Sequence, residues 1–402
     1  MAISKQEMKR RRTRPRGSGL GRKCLTLAVS VLCVWYSAQW VGVGVLENGS
    51  DRPALPAGVT ETTPASVPSP SAAPPVPTPP PDAGPAPSDE EATLIFGGDV
   101  LIDLGIEQRL QEPDRFPWVM APDLAAAFAA ADLAVVNLEM PFSTRGEAMP
   151  NKEFTFRGDP ERLPFLRDYM GVDIVTLANN HTLDFGTDAL ADTLAHLDDY
   201  GIAHVGAGAD VEAAAAPVLM RVGTRTVAVL GATRVIPVAG WAAGPERPGL
   251  FTTYDSEALC EAIRAVRPRA DCVIVYVHWG VERAAQPEPY QVQMARDYID
   301  AGADVVIGAH PHVLQPLAFY EGKLIAYSLG NLIFTDTARD TMALRLTLTP
   351  DGIRPEVLFC QIRSMTTGLV TDPGAWEARR RALADISPGV RIDELGRVTA
   401  RD

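Results

Sequence analysis

The chain has 402 residues, 37 basic and 50 acidic, with a formal net charge of −13 and six histidines. This acid excess argues against a nucleic-acid binder, which needs a basic face, and it would repel a polyanion unless metal ions or local cations offset the field. Five scattered cysteines exclude a disulfide framework.

The first 23 residues carry nine Lys/Arg against one acid, Glu7. Residues 24–46 follow without a charge, long enough to cross a hydrocarbon core of roughly 30 Å at about 1.5 Å per residue. A basic flank stays on the cytoplasmic side. Residues 1–23 are therefore expected to be a cytoplasmic tail and 24–46 a single-pass transmembrane anchor in the cell membrane, with the C-terminal domain extracellular. No small-x-small cleavage site ends the apolar run, and Cys33 follows Val31-Leu32 where a lipoprotein needs small residues. An uncleaved anchor is thus favoured over a signal peptide or lipoprotein. Residues 47–90 form a Pro-rich spacer, with 13 prolines within 53–87. Such a composition buries no core and stays disordered and semi-extended.

From Glu91 the pattern changes to short apolar runs alternating with helical ones. Strands are expected at 93–98, 133–138, 173–178, 226–232, 272–277, 304–308 and 324–329, and helices at 123–131, 188–200, 256–266 and 291–301. Near-continuous apolar strands between helices predict an α/β domain over 91–370 whose sheets are covered on both faces. Residues 342–362 read as a hairpin about Pro350-Asp351-Gly352, and 371–402 as a charged C-terminal helix and tail.

In α/β sheets, ligands collect beyond the carboxyl ends of strands. Asp99 follows the first run, and Asn137 and Glu139 stand at the end of the second. Asn179, Asn180, His181 and Asp184 follow the third, His278 and Glu282 the fifth, His310 and His312 the sixth, and Asn331 the seventh. Four of six histidines fall at strand ends, while His196 and His204 read as structural. The mixed oxygen and nitrogen set suits Zn, Mn or Fe. Singly, each residue has a simpler reading: Asp99 as a helix cap, Asn179-Asn180 as turn residues, Glu139 as a solvated loop acid. His310-Pro311-His312 is stronger, since an extended backbone puts residues i and i+2 on one side and proline freezes the spacing. Five strand ends delivering ligand types point to one metal or metal-like polar centre. Asp184 is placed to orient His181. Glu282, Asn137 and Asn331 are candidate substrate contacts, and Lys152 and Arg157 candidate anion contacts.

The order of these elements resembles the calcineurin-like metallophosphoesterase superfamily: Asp99, an acid at 139, Asn180-His181, His278, then Gly308-Ala-His310-Pro-His312. More closely, GGDVLI, NLE, TLANNHTLDFG, HWGVE, AGADVVIGAHPHVLQP and YSLGN resemble the CapA family, associated with poly-γ-glutamate capsule synthesis. The resemblance spans Gly97 to Asn331 and implies a four-layer α/β/β/α sandwich. It implies one or two divalent ions, with Glu139 bridging, Asp99 and His312 on one ion, and Asn180, His278 and His310 on the other. His181 would then be a general acid, and the ions would lower the pKa of bound water. One position departs from the pattern: Leu101 stands where the superfamily has a histidine ligand.

Three functions follow from the resemblance. The first is a membrane-anchored factor in synthesis or export of an anionic cell-surface polymer, partnered by a membrane-bound synthesis complex and not by nucleic acid. The second is an extracellular metal-dependent hydrolase or transferase acting on a phosphoester or amide. The third is a non-catalytic polymer-binding scaffold, for which Leu101 speaks. Fold similarity alone does not decide among them.

Overall fold

The structure, a computed structural model, describes residues 91–401; the expected tail and anchor, and the spacer as far as residue 90, lie outside them. No helix among the described residues is long and apolar enough to cross a membrane. In chain order the strands are β1 Ala92–Val100, β2 Leu133–Leu138, β3 Ile174–Thr176, β4 Ala203–Val205, β5 Ala207–Gly208, β6 Val218–Val222, β7 Arg225–Thr233, β8 Gly249–Leu250, β9 Cys272–His278, β10 Val305–Ala309, β11 Leu317–Tyr320, β12 Lys323–Ala326, β13 Asn331–Ile333, β14 Ala338–Thr349, β15 Gly352–Arg363, β16 Thr366–Leu369, β17 Val390–Ile392 and β18 Val398–Ala400. The helices are α1 Leu104–Glu107, α2 Pro122–Ala129, α3 Gly186–Asp199, α4 Val211–Ala215, α5 Glu257–Val266, α6 Pro289–Asp300 and α7 Pro373–Ile386.

Two sheets carry the domain. One has eight strands in the order β16-β15-β14-β1-β2-β3-β4, with β13 beside the end of β1; the other has six, β11-β12-β10-β9-β7-β6. β1 to β4 are mutually parallel, as are β7, β9, β10 and β12. Parallel strands joined by helices must bury both faces, and strand alternation shows how they do so. Leu94, Phe96, Val135 and Ile174 of the first sheet pack against Val229, Ile274, Tyr276 and Ile307 of the second. The intervening residues Ile95, Val136 and Val175 face Leu124 and Phe128 of α2 and Leu190 of α3. On the other outer side, Leu230, Val275 and Val306 face Leu259 and Ile263 of α5 and Tyr298 of α6. The layers therefore run helix, sheet, sheet, helix. Each fully buried large apolar side chain contributes about 1.5–3 kcal/mol.

The expected hairpin is β14–β15, longer on both sides than 342–362 and paired from Ala338↔Arg363 to Thr349↔Gly352. The C-terminal segment closes the inter-sheet layer, since Val390, Ile392 and Val398 join its core. Asp372 caps α7 by accepting from Ala375 N.

One expected element is corrected. The run 324–329 is not one strand: β12 ends at Ala326 in the second sheet, and β13 begins at Asn331 in the first. Residues 327–330 cross between sheets, a path that apolar periodicity cannot distinguish from a strand. Two glycines admit this crossover. A Cβ at Gly98 would lie 1.8 Å from Gly330 O, and one at Gly308 would lie 2.0 Å from Tyr327 O. Asp99 N instead donates to Gly330 O at 3.0 Å.

Candidate metal centre

The carboxyl ends of both sheets meet where the crossover passes, and there the strand-end polar residues converge. Asp99 stands near the end of β1, just after a register shift between Phe96 and Asp99; such a bulge re-aims the side chain that follows it. Tyr276 Oη donates to Gly97 O at 2.6 Å and braces the bulge from the second sheet. Asp99, Glu139 and His278 are each at most 1 % exposed, so Glu139 is no solvated loop acid. The cap of α1 is Asp103, not Asp99.

The donor atoms fall into overlapping groups. Ligand atoms of Glu139, His278 and His310 lie within 4.8 Å of one another, and so do those of Asp99, Glu139 and His312. Glu139 belongs to both. His278 Nε2 is 2.7 Å from Asn180 Oδ1 and 3.3 Å from Glu139 Oε1. His312 Nδ1 is 2.8 Å from Asn331 Oδ1 and 3.2 Å from Asp99 Oδ2, and its Nε2 is 3.9 Å from Glu139 Oε2. The His310 backbone N–H donates to Asp99 Oδ2 at 3.2 Å. Glu282, which is exposed, forms a third group with His310 and His312.

The His310-Pro311-His312 segment reaches this centre by a route other than the expected one. Its backbone is not extended: φ is +97° at His310 and +57° at His312. Such conformations cost about 1–3 kcal/mol each and persist only where surroundings hold them. The bond to Asp99 and the one from Arg283 N to Pro311 O at 2.8 Å hold them here.

His181 stands next to Asn180 and is 8 % exposed. Its Nδ1 is 2.8 Å from Asp184 Oδ2, and its ring packs at 4.8 Å on Phe156. Asp184 also accepts from Phe156 N at 2.8 Å and ion-pairs with Lys152, whose Nζ lies 2.9 Å from His181 Nδ1. Lys152 thus sits on the His181–Asp184 pair, away from open solvent. Three other expected contacts need correction. Asn137 is buried, and its Nδ2 donates to Asp99 Oδ1 at 2.8 Å and Glu139 Oε1 at 3.3 Å, beneath the ligands. Asn331 is buried between His312 and Asp336, donating to the latter at 2.8 Å. Arg157 is exposed; it donates to Arg145 O and Gly146 O and covers the Phe185 ring at 4.2 Å, bracing a loop. An asparagine at a strand end gives no sign whether it faces a ligand or solvent. Asp336, which also accepts from Arg339 Nε at 2.7 Å, carried no motif that would have singled it out. Asn179 acts as a turn brace, its Oδ1 accepting from His181 N and Thr182 N.

The electrostatics suit a cation. Burial, then the charge of Asp99, pushes the Glu139 carboxyl well above the ordinary range. Burial alone would lower His312, but Glu139 and Asp99 outweigh it and raise the imidazole to about 10. Both shifts favour a bound proton, as in a pocket of concentrated negative charge. Burial drives His278 well down and His310 to about 3, keeping both neutral as ligands must be. The Nδ1 of His310 is buried with no hydrogen-bond partner. Two buried carboxylates, neutral imidazoles and an unpartnered ring nitrogen fit a divalent ion such as Zn, Mn or Fe. Asn137, Asn331 and Asp336 surround these donors as the outer partners of metal ligands do.

These features define a four-layer α/β/β/α protein with a divalent-metal type of donor set at the seam of its sheets. Residues 93–336 match the family of bacterial capsule synthesis proteins PGA_cap, and the chain belongs to that family. The PGA biosynthesis protein CapA of Bacillus subtilis is 32% identical over 272 residues, covering 66% of this chain and 70% of that protein. The capsule biosynthesis protein CapA of Bacillus anthracis is 38% identical over 167 residues, 41% of this chain and 40% of its own. A candidate 5'-nucleotidase from Staphylococcus aureus, solved in complex with alpha-ketoglutarate, aligns over 73% of this chain and 58% of its own with a TM-score of 0.41 and 17% identity.

Proposed function

We propose that the protein is a membrane-anchored, extracytoplasmic factor in synthesis or export of poly-γ-glutamate, bearing a hydrolase-type metal centre in a metallophosphoesterase-like fold. Family membership supports the pathway. The observation that carries the chemistry is the pair of donor groups sharing Glu139. Glu139, His278, His310 and Asn180 would hold one ion, and Asp99, Glu139 and His312 the other. Divalent ions in such a site lower the pKa of bound water and polarise the attacked group.

The chain's own residues supply the rest. Asp184 and Lys152 both engage His181 Nδ1, at 2.8 and 2.9 Å, which leaves Nε2 as the ring nitrogen that can exchange a proton with a leaving group. Burial lowers the His181 pKa despite Asp184, so the resting ring is neutral and must take up a proton at Nε2 before it can pass one to a leaving group. Lys152 ion-pairs with Asp184 and so offsets its charge beside the ring. The basic segment 1–23 and apolar segment 24–46 support placing this domain outside the membrane. The expected partners are a membrane-bound synthesis complex and the anionic polymer it makes.

A second reading is favoured by Leu101, which is 2 % exposed and packed in the outer apolar cluster, and so offers no nitrogen donor. On it the protein is a scaffold that binds polymer without turnover. Gene deletion with complementation separates the two. Deletion should reduce cell-surface poly-γ-glutamate and the wild-type gene should restore it. A His181→Ala gene that fails to restore it supports the hydrolase, and one that restores it fully supports the scaffold. Unchanged polymer after deletion overturns the pathway assignment.

A further inference from the structure

Glu282 differs from the other carboxylates of the cluster in being exposed. Its loop follows β9 and is stitched to the histidine segment at two points. Trp279 N donates to Ala309 O at 3.1 Å, and Arg283 N donates to Pro311 O at 2.8 Å. The turn needed to make both bonds puts Gly280 at φ +95° and Arg283 at φ +62°. A left-handed arginine persists only where its surroundings fix it, so the backbone that carries Glu282 is fixed. A carboxylate oxygen of Glu282 lies within 4.8 Å of ring nitrogens of both His310 and His312. His310, whose Nδ1 is buried without a hydrogen-bond partner, belongs to the same cluster.

The two donor groups are unequal. Glu139, His278 and His310 have Asn180 as a fourth neighbour. Asp99, Glu139 and His312 have none from position 101, where Leu101 packs into the apolar layer. We infer that Glu282 supplies the missing donor, a carboxylate oxygen on the ion held with His312. The inference rests on reading the cluster as a metal centre. Charge supports it: with neutral imidazoles, three carboxylates offset more of the charge of two divalent ions than the two buried carboxylates alone. A solvent-facing carboxylate is also an ordinary ligand for Mn or Zn.

The test uses purified full-length chain loaded with cobalt(II), comparing wild type with Glu282→Gln and Glu282→Asp. An outer partner of a metal ligand already costs about 10–100-fold in affinity, and a direct ligand should cost no less. In Glu282→Gln, one cobalt should stay at wild-type affinity and the second should weaken at least about tenfold, with a changed visible spectrum for the second only. Glu282→Asp should recover part of that loss. Circular dichroism matching wild type shows that the fold is kept, as expected at an exposed position. Both ions bound by Glu282→Gln at wild-type affinity and with the wild-type spectrum would overturn the inference and leave the metal centre standing. Equal weakening of both ions would mark Glu282 as a distant charge, not a ligand, and overturn it too. No cobalt bound by wild type would overturn both the inference and the centre it rests on.

Discussion

At the level of single residues, the centre is a set of side chains whose protonation is tied to the charge they enclose. His312, raised to about 10 by Glu139 and Asp99 against the effect of burial, holds a proton through the neutral range. A cation that takes its place must displace that proton. Apparent metal affinity should therefore rise with pH below that value, by up to about tenfold per unit for each proton released. Calorimetry of zinc binding at ~pH 6 and ~pH 8, in buffers of different ionisation enthalpy, would measure the released protons directly. Affinity independent of pH would contradict this reading of His312. Asp99, Glu139, Asn180, His278, His310 and His312 were all visible in the sequence, because chemistry at strand ends is a positional signal. The route taken by His310 and His312 was not. A left-handed backbone at histidine has no mark in composition and is imposed by contacts from Asp99 and Arg283, distant in the chain.

Among the elements, long apolar strands were legible and irregular connections were not. β2 falls on the expected residues, and β7, β9 and β10 within one or two residues at each end. Short strands such as β4 and β11 escaped because their burial is set by neighbours, and the run at 324–329 concealed a change of sheet. The start of β10 shows how one acid fastens several elements. Asp304 accepts from Val273 N at 2.9 Å in β9, and pairs with Arg267 after α5 at 2.5 Å and Lys323 in β12 at 2.6 Å. Burial would raise its pKa, but the bonds from Lys323, Val273 N and Arg267 outweigh that and lower it. A carboxyl lowered on folding stabilises above its unfolded value of ~3.9 and loses that contribution as pH falls through the folded value. Asp304→Asn should thus cost about 1–3 kcal/mol at neutral pH, and progressively less below ~pH 4. Chemical denaturation at both pH values checks the sign. An equal cost at both would show that the carboxylate charge plays no part.

For the whole molecule, the sheets meet along an apolar layer, and the donors are divided between them. Asp99 and Glu139 come from the first sheet, and His278, His310 and His312 from the second. An ion bound by both halves adds its binding free energy to the cohesion of the seam. Saturating zinc or manganese at ~100 times Kd should raise unfolding stability by roughly 2.7 kcal/mol, and chelator should reverse it. Thermal unfolding with and without ion would test this, and a midpoint that does not move would show that the folded chain holds no ion at these donors. β1 matters here for a mechanical reason. The residues that precede Ala92 lead straight into it, and it lies between β14 and β2, hydrogen-bonded along both sides. Ladder bonds run across the strands, so a pull on the N-terminal side loads many of them at once in shear instead of peeling them singly. Tension from that side is spread into the first sheet before it reaches Asp99, near the other end of the strand.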